Sequence, residues 1–202
     1  MPAHDSFWRT IYTRRSIRAY SDQPIPRELL ERLLTAAIWA PNAHNRQPWR
    51  FVVVTERSRQ QQLAGRMAQR WEQDLLADGL DEAKARAQAE RSRTRIMRAG
   101  ALVLGCLTMR EMDRYPDDLR QRLEWQMAVQ SAALALGQLL LAAHHEGLGA
   151  CWMCAPLFAP DVVRSALELP EDWEPQALIT LGYPAERNEK TRKPLEEVVL
   201  WR

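Results

Sequence analysis

A central sheet covered by helices is the architecture the sequence predicts, and three observations predict it. Helical patterns outweigh strand patterns, the strand-like runs are short and apolar, and those runs lie too far apart in the chain to pair as hairpins. With 202 residues and 46% hydrophobic content the chain can bury a core of its own, and its length favours one domain spanning residues 1–202.

The clearest helix runs from Pro26 to Ala40. Pro26 suits a first turn, Leu29, Leu30, Leu33, Leu34, Ala37 and Ile38 recur at helical spacing, and Pro41 stops it. Arg50-Phe51-Val52-Val53-Val54-Thr55 follows as a short buried strand. Arg59 to Ala77 and Asp81 to Arg98 read as helices. The second is almost all charged residues and alanine, with Ile96 and Met97 as its anchors, so a charged excursion at about 60–98 is expected to stand exposed. Ala101 to Leu107 is a second strand. Tyr115-Pro116 breaks the chain before a long helix from about Asp117 to His145, apolar on more than one face, which calls for neighbours all round or a partner subunit. Gly147-Leu148-Gly149 ends that helix, Ala150 to Met153 forms a third strand, a short helix follows Pro160, and Gln176 to Gly182 forms a fourth strand. Glu197 to Trp201 closes the chain.

Charge and composition exclude several classes. Twenty-eight basic side chains against 26 acidic ones leave a net charge of +2, too balanced for bulk attraction to nucleic acid or an anionic membrane. Met1 to Ser6 lacks a basic stretch followed by an apolar segment, and the apolar regions around 101–107 and 132–143 read as too short or too interrupted to span a bilayer. Three clustered cysteines, Cys106, Cys151 and Cys154, do not make a secreted disulfide framework, so a cytoplasmic protein is expected.

Local chemistry concentrates in a few places. Arg14-Arg15-Ser16-Ile17-Arg18 near the start and Lys190, Arg192 and Lys193 near the end are anion-seeking clusters, a phosphate clamp if the fold unites them and surface charge if it does not. Ala40-Pro41-Asn42-Ala43-His44-Asn45-Arg46-Gln47-Pro48-Trp49 is rich in amide groups, and Asn45 and Gln47 offer the alternating donors and acceptors that a flavin's pyrimidine edge requires. A cation such as Arg18 at that edge would stabilise the negative charge that reduction places there. His44 reads equally as a substrate contact and as a turn residue. Neither G-x-G-x-x-G after a strand nor G-x-x-x-x-G-K-[ST] occurs, so a nicotinamide donor would have to dock transiently against another cofactor. Cys151-x-x-Cys154 lacks a second ligand pair and reads as structural or as a cofactor wall, with no metal site. His144 and His145 complement the negative end of the long helix, and Arg86 to Arg98 reads as a solvated helix face rather than a nucleic-acid surface.

These segments, in this order, resemble the nitroreductase superfamily of FMN-dependent oxidoreductases. The resemblance also takes in Gly147 to Trp152, Leu181-Gly182-Tyr183-Pro184 and Lys190-Thr191-Arg192-Lys193-Pro194, so it covers nearly the whole chain. It implies an α+β fold with a mainly antiparallel central sheet covered by helices, in an intertwined homodimer with FMN in each of two interfacial pockets. Arg14, Ser16, Lys190 and Arg192 would hold the phosphate with Arg15 beside them; Arg18 and Asn45 would address the pyrimidine edge. Trp152, Met153 and Cys154 would line the ring near N5, while Pro41, Asn42 and Ala43 would approach the partner's FMN. Within the superfamily, segments such as Met67 to Leu75 and Leu169 to Pro175 are similar to the flavin reductase domain that serves biosynthesis of the deazaflavin coenzyme F-420.

The activity so implied passes electrons from NADPH, NADH or a reduced deazaflavin through FMN to an electron-poor small molecule. The flavin carries the chemistry, so no side chain is assigned a catalytic role, and the charged excursion is a candidate lid. The alternatives are a dehydro-precursor reductase of coenzyme F-420 biosynthesis, a flavin carrier or sensor that does not turn over, and a nucleic-acid adaptor built on Arg86 to Arg98.

Overall fold

The computed structural model describes residues 6–202. The leader reading of Met1 to Asp5 lies outside the described residues. Four strands form one wholly antiparallel sheet: β1 (Trp49–Val54), β2 (Ala101–Leu107), β3 (Gly149–Met153) and β4 (Glu174–Gly182), in the order β1-β2-β4-β3.

Residues alternate across this sheet into two separate apolar layers. Ala101, Val103, Ala177, Ile179 and Leu181 meet Leu30 and Leu33 of α2 (Arg27–Ile38) and Leu136 and Leu139 of α5 (Asp118–His145). Leu102, Leu104, Cys106 and Leu178 face the other way. There they meet Leu63 and Met67 of α3 (Arg57–Ala77), Ile96 of α4 (Glu82–Met97) and Val163 of α7 (Pro160–Leu167). Helices on both faces explain why β2 and most of β4 read as unbroken apolar runs rather than alternating ones. Burial also pushes the Cys106 thiol up to about 12.

Local signals place the helix ends. Asp81 and Asp117 accept the backbone N–H of Lys84 and Arg120 at 3.2 and 2.9 Å, capping α4 and α5. At the other end of α5, Gly147 takes φ of 82°, its N–H donates to His144 O and that of Leu148 to Ala143 O, the paired bonds of a Schellman stop.

Three expectations change. The 60–98 excursion is a packed hairpin of α3 and α4. Ala85 and Ala89 are buried with Ile96, so alanines serve as the contact face: a small side chain lets two helix backbones approach closely. One helix, α5, is long and apolar enough by length and composition to cross a membrane, against the expectation that no segment was; in the fold its Ala128, Ala132, Ala135, Leu136, Leu139 and Ala143 are buried. Two short helices were not foreseen, α1 (Ser6–Thr13) and α6 (Ala155–Phe158). α1 lies against α5, where Thr13 Oγ1 and His144 Nε2 are 2.8 Å apart and Thr10 Oγ1 and His145 Nδ1 are 3.4 Å apart. The two histidines thus tie α5 to α1 as well as ending it.

Candidate functional site

The chain's opening and closing segments are stitched together beside β3. Ile17 N–H donates to Ala150 O at 3.0 Å, Ser21 N–H to Tyr183 O at 2.9 Å, and Ala185 N–H to Ala19 O at 3.0 Å. The Glu186 carboxylate accepts the backbone N–H of Arg18 at 2.6 Å and of Ala19 at 3.3 Å, bonds that hold it below the usual carboxylate range. Asn188 Nδ2 donates to Ser16 O at 3.0 Å. Two glycines allow the close approach. A Cβ on Gly149 would lie 2.8 Å from Ile17, and one on Gly182 would lie 2.6 Å from the Tyr20 ring. The Tyr20 hydroxyl, 2.7 Å from Thr180 Oγ1, is raised by burial.

This seam gathers positive charge without neutralising it. Burial first, then the charges of Arg192 and Arg15, hold the half-buried Arg14 guanidinium below its usual value. Among the described residues neither Arg14 nor Arg192 has an ion-pair partner, whereas Lys193 reaches Glu197 at 3.8 Å. Arg15 Nη1 donates to Tyr12 O at 2.7 Å and Arg14 O at 2.8 Å, while its Nε is buried with no partner among the described residues. His144 feels the same field. Burial, then Arg14, Arg15 and Arg9, lower its pKa. Lys190 is exposed on the closing segment.

A cavity of about 670 Å³ opens between this edge of the sheet and the α3–α4 hairpin. That size suits a small-molecule cofactor or substrate. Arg18, Cys151, Trp152, Met153 and Cys154 form its inner wall, and the Trp152 indole N–H donates to Cys154 Sγ at 3.1 Å. Met67, Trp71 and Leu75 of α3 and Phe158 of α6 supply apolar surface, and Gln88, Arg91, Ser92 and Arg95 of α4 supply polar groups. The charges of Arg18 and Arg95 both act on the Cys151 thiol, whose pKa is raised chiefly by burial. Gln88, Arg91, Ser92 and Arg95 thus line the cavity, a placement that the solvated-face reading of α4 did not include, although Arg91 and Arg95 are themselves exposed. Their spacing of three to four residues was the available signal.

The amide-rich loop stands elsewhere. Ala43 N–H donates to the buried Ser131 hydroxyl of α5 at 3.2 Å, and Asn42 Oδ1 accepts Gln47 N–H at 2.8 Å. His44, Asn45 and Gln47 hold φ near +50°, the left-handed region that non-glycine residues enter only when their surroundings impose it. This loop leads into β1, the sheet edge opposite β3, and none of Pro41, Asn42, Ala43, His44, Asn45 or Gln47 lines the cavity. Within one chain, Arg18 and Asn45 are not brought together.

An antiparallel sheet covered by helices on both faces, with a seam of arginines that have no ion-pair partner among the described residues and a cavity walled by aromatic and hydrogen-bonding groups, suits a small cofactor that carries a flat ring and a phosphate. The chain belongs to the nitroreductase family, whose family model matches residues 11–183. It is 34% identical to a protein named NADH dehydrogenase from Thermus thermophilus, over 94% of this chain and 92% of that one. A protein from Desulfovibrio desulfuricans, named as a nitroreductase by inference and solved in complex with FMN, superposes with a TM-score of 0.75 at 28% identity, covering 96% of this chain and 95% of that one. A BluB-like flavoprotein from Clostridium difficile shares the fold, with a TM-score of 0.79 at 23% identity over 96% and 98% of the two chains.

Proposed function

We propose that this protein binds FMN and uses it to pass electrons from a reduced nicotinamide to an electron-poor small molecule such as a nitroaromatic. One observation carries the reading: the backbone seam brings Arg14 and Arg192, from opposite ends of the chain, close enough for their charges to act on each other, and among the described residues neither has a carboxylate partner. A phosphate dianion is the ligand that such a field and the orphan Nε of Arg15 accommodate.

Arg14, Ser16, Lys190 and Arg192 would hold the phosphate, with Arg15 bracing the turn between them. Arg18 and Arg95 would face the pyrimidine edge, and Ser92 and Gln88 would satisfy its carbonyl and N–H groups. Trp152 to Cys154 would support the ring. When bound, FMN supplies a centre that accepts hydride and returns the reducing equivalents in the same cleft. The chain's own part is to seat the ring, offer it apolar surface from Met67, Trp71 and Phe158, and place cations where charge develops.

The 41–47 loop would serve the flavin of a second copy, since it leads into the opposite sheet edge. Exposed aromatic and apolar surface supports a homodimer. Phe7, Trp8 and Tyr12 lie on α1, with Trp8 stacked on Tyr12 at 5.7 Å, and Trp39, Leu134 and Trp201 are uncovered as well. Light scattering of the eluted protein would test it, and a monomeric mass would rule it out. The names of the relatives support NADH or NADPH as donor, and a reduced deazaflavin finds no support among them.

The test is the visible spectrum of purified protein supplied with FMN, followed by anaerobic titration with NADH and NADPH and then by addition of a nitroaromatic. The overall change is R–NO2 + NADH + H⁺ → R–NO + NAD⁺ + H2O. Bleaching by a nicotinamide and recovery on the acceptor are expected. Protein that takes up no flavin overturns the reading, and protein whose flavin stays oxidised in excess donor is a carrier instead.

A further inference from the structure

Resting on the flavin reading above, we propose that Arg91 determines acceptor specificity, selecting electron-poor aromatic acceptors that carry a carboxylate directly on the ring. α4 runs toward the sheet, and its chain continues into β2. Arg95 lies at the sheet end, where its charge reaches Cys151. Arg91 stands four residues, or about one helical turn, farther out, roughly 6 Å along the axis, in the same cavity wall.

The neighbouring ion pairs leave it free. Arg93 binds Glu90 at 2.9 Å, and Arg70 binds Asp74 at 3.2 Å and Asp161 at 3.0 Å. Among the described residues Arg91 has no carboxylate partner. Of the ionised groups lining the cavity, Arg18, Arg91 and Arg95 then stand against Asp78, which sits at the far end where α3 terminates. The cavity wall that carries Arg91 is positive, and uncovered aromatic surface lines the same cavity, with Trp71 39% and Phe158 75% exposed. A flat ring can lie against such faces while a planar guanidinium takes a carboxylate with two parallel bonds.

The spacing decides which oxyanion fits. A dinucleotide donor carries its phosphates beyond a ribose, well past one helical turn from its reacting ring. A benzoate-type acceptor carries its charge on the ring itself, within the reach that separates Arg91 from Arg95.

The experiment uses the FMN-loaded protein as wild type, Arg91→Gln, Arg91→Lys and Arg93→Gln. Turnover with NADH is compared on 4-nitrobenzoate and the matched neutral 4-nitrobenzamide. In Arg91→Gln the ratio of the two KM values shifts against the carboxylate by about tenfold, the usual scale for one charge-assisted contact near solvent. Arg91→Lys recovers part of it, and Arg93→Gln keeps the wild-type ratio. Independently of turnover, quenching of tryptophan fluorescence by non-reducible benzoate weakens by the same factor in Arg91→Gln. Equal shifts for both acceptors overturn the proposal, as does a loss seen only in the rate of reduction by NADH. Failure of the flavin reading would appear separately, as wild-type protein that NADH does not reduce.

Discussion

The seam between the chain's two ends and the α3–α4 hairpin close one cavity from opposite sides, and they are built by different means. The seam is held by backbone hydrogen bonds, by a carboxylate spent on two amide groups, and by rings packed onto glycines. The hairpin is anchored to the sheet by Leu63, Met67 and Ile96 and closed on itself by buried alanines, while its outer surface carries ion pairs in solvent, which contribute little each. The seam therefore cannot shift without losing backbone bonds, whereas surface residues of the hairpin can be exchanged at small cost. A rigid side that holds and a permissive side that selects is the division of labour this difference supports.

The most severe way to break the comparison is Gly182→Val. Its new Cβ would lie 2.6 Å from the base of the Tyr20 ring, whose hydroxyl is tied to Ile17 O and Thr180, so a loss of about 3 kcal/mol is expected in denaturant titration. FMN retention should fall with it. Arg192→Ala comes next: flavin retention after gel filtration should drop about tenfold or more, while Arg93→Ala, paired with Glu90 away from the cavity, should leave retention close to wild type. Equal losses would remove the phosphate assignment. Ala89→Leu overfills the hairpin contact and should cost about 1–2 kcal/mol, with faster proteolysis confined to residues 57–97. Cleavage spreading into the seam would show that the two regions do not act separately.

The smallest effect sharpens the electrostatic picture. His144 has its folded pKa lowered by burial and by Arg14, Arg15 and Arg9, so the unfolded chain takes up this proton first as pH falls. Its contribution to stability is complete above the unfolded value of about 6.5 and is lost as pH drops through the folded value. His144→Asn should flatten that part of the profile. Bound FMN phosphate would offset the arginines, so NMR titration of the His144 imidazole should show a higher pKa with flavin than without. An unmoved titration would place the phosphate elsewhere.

Much of the fold was legible locally. The 3.6-residue recurrence of Leu29, Leu30, Leu33 and Ala37, the apolar run Ala101 to Leu107 and the Gly147 stop each depend on residues within a few positions, and each element formed where its pattern lay. α1 was not legible, because eight residues carry too little periodic signal and the helix draws support from α5. The site was legible in its motifs and not in its assembly. Arg14 and Arg192 stand out as members of two clusters, yet nothing local says that they share a field. That Arg91, Ser92 and Arg95 line a cavity is not legible, because composition does not reveal which side of α4 looks into one.

The sequence by itself determined the longer helices, the strands, their stops and the family, because these follow from short-range spacing and from motifs read in order. Only the tertiary structure decided that the two ends of the chain meet beside β3, that the 41–47 loop leads into the opposite sheet edge, and that α4 supplies the cavity's polar wall. The physical reason is that burial and electrostatic field are sums over neighbours in space, and those neighbours here are separated by up to most of the chain's length.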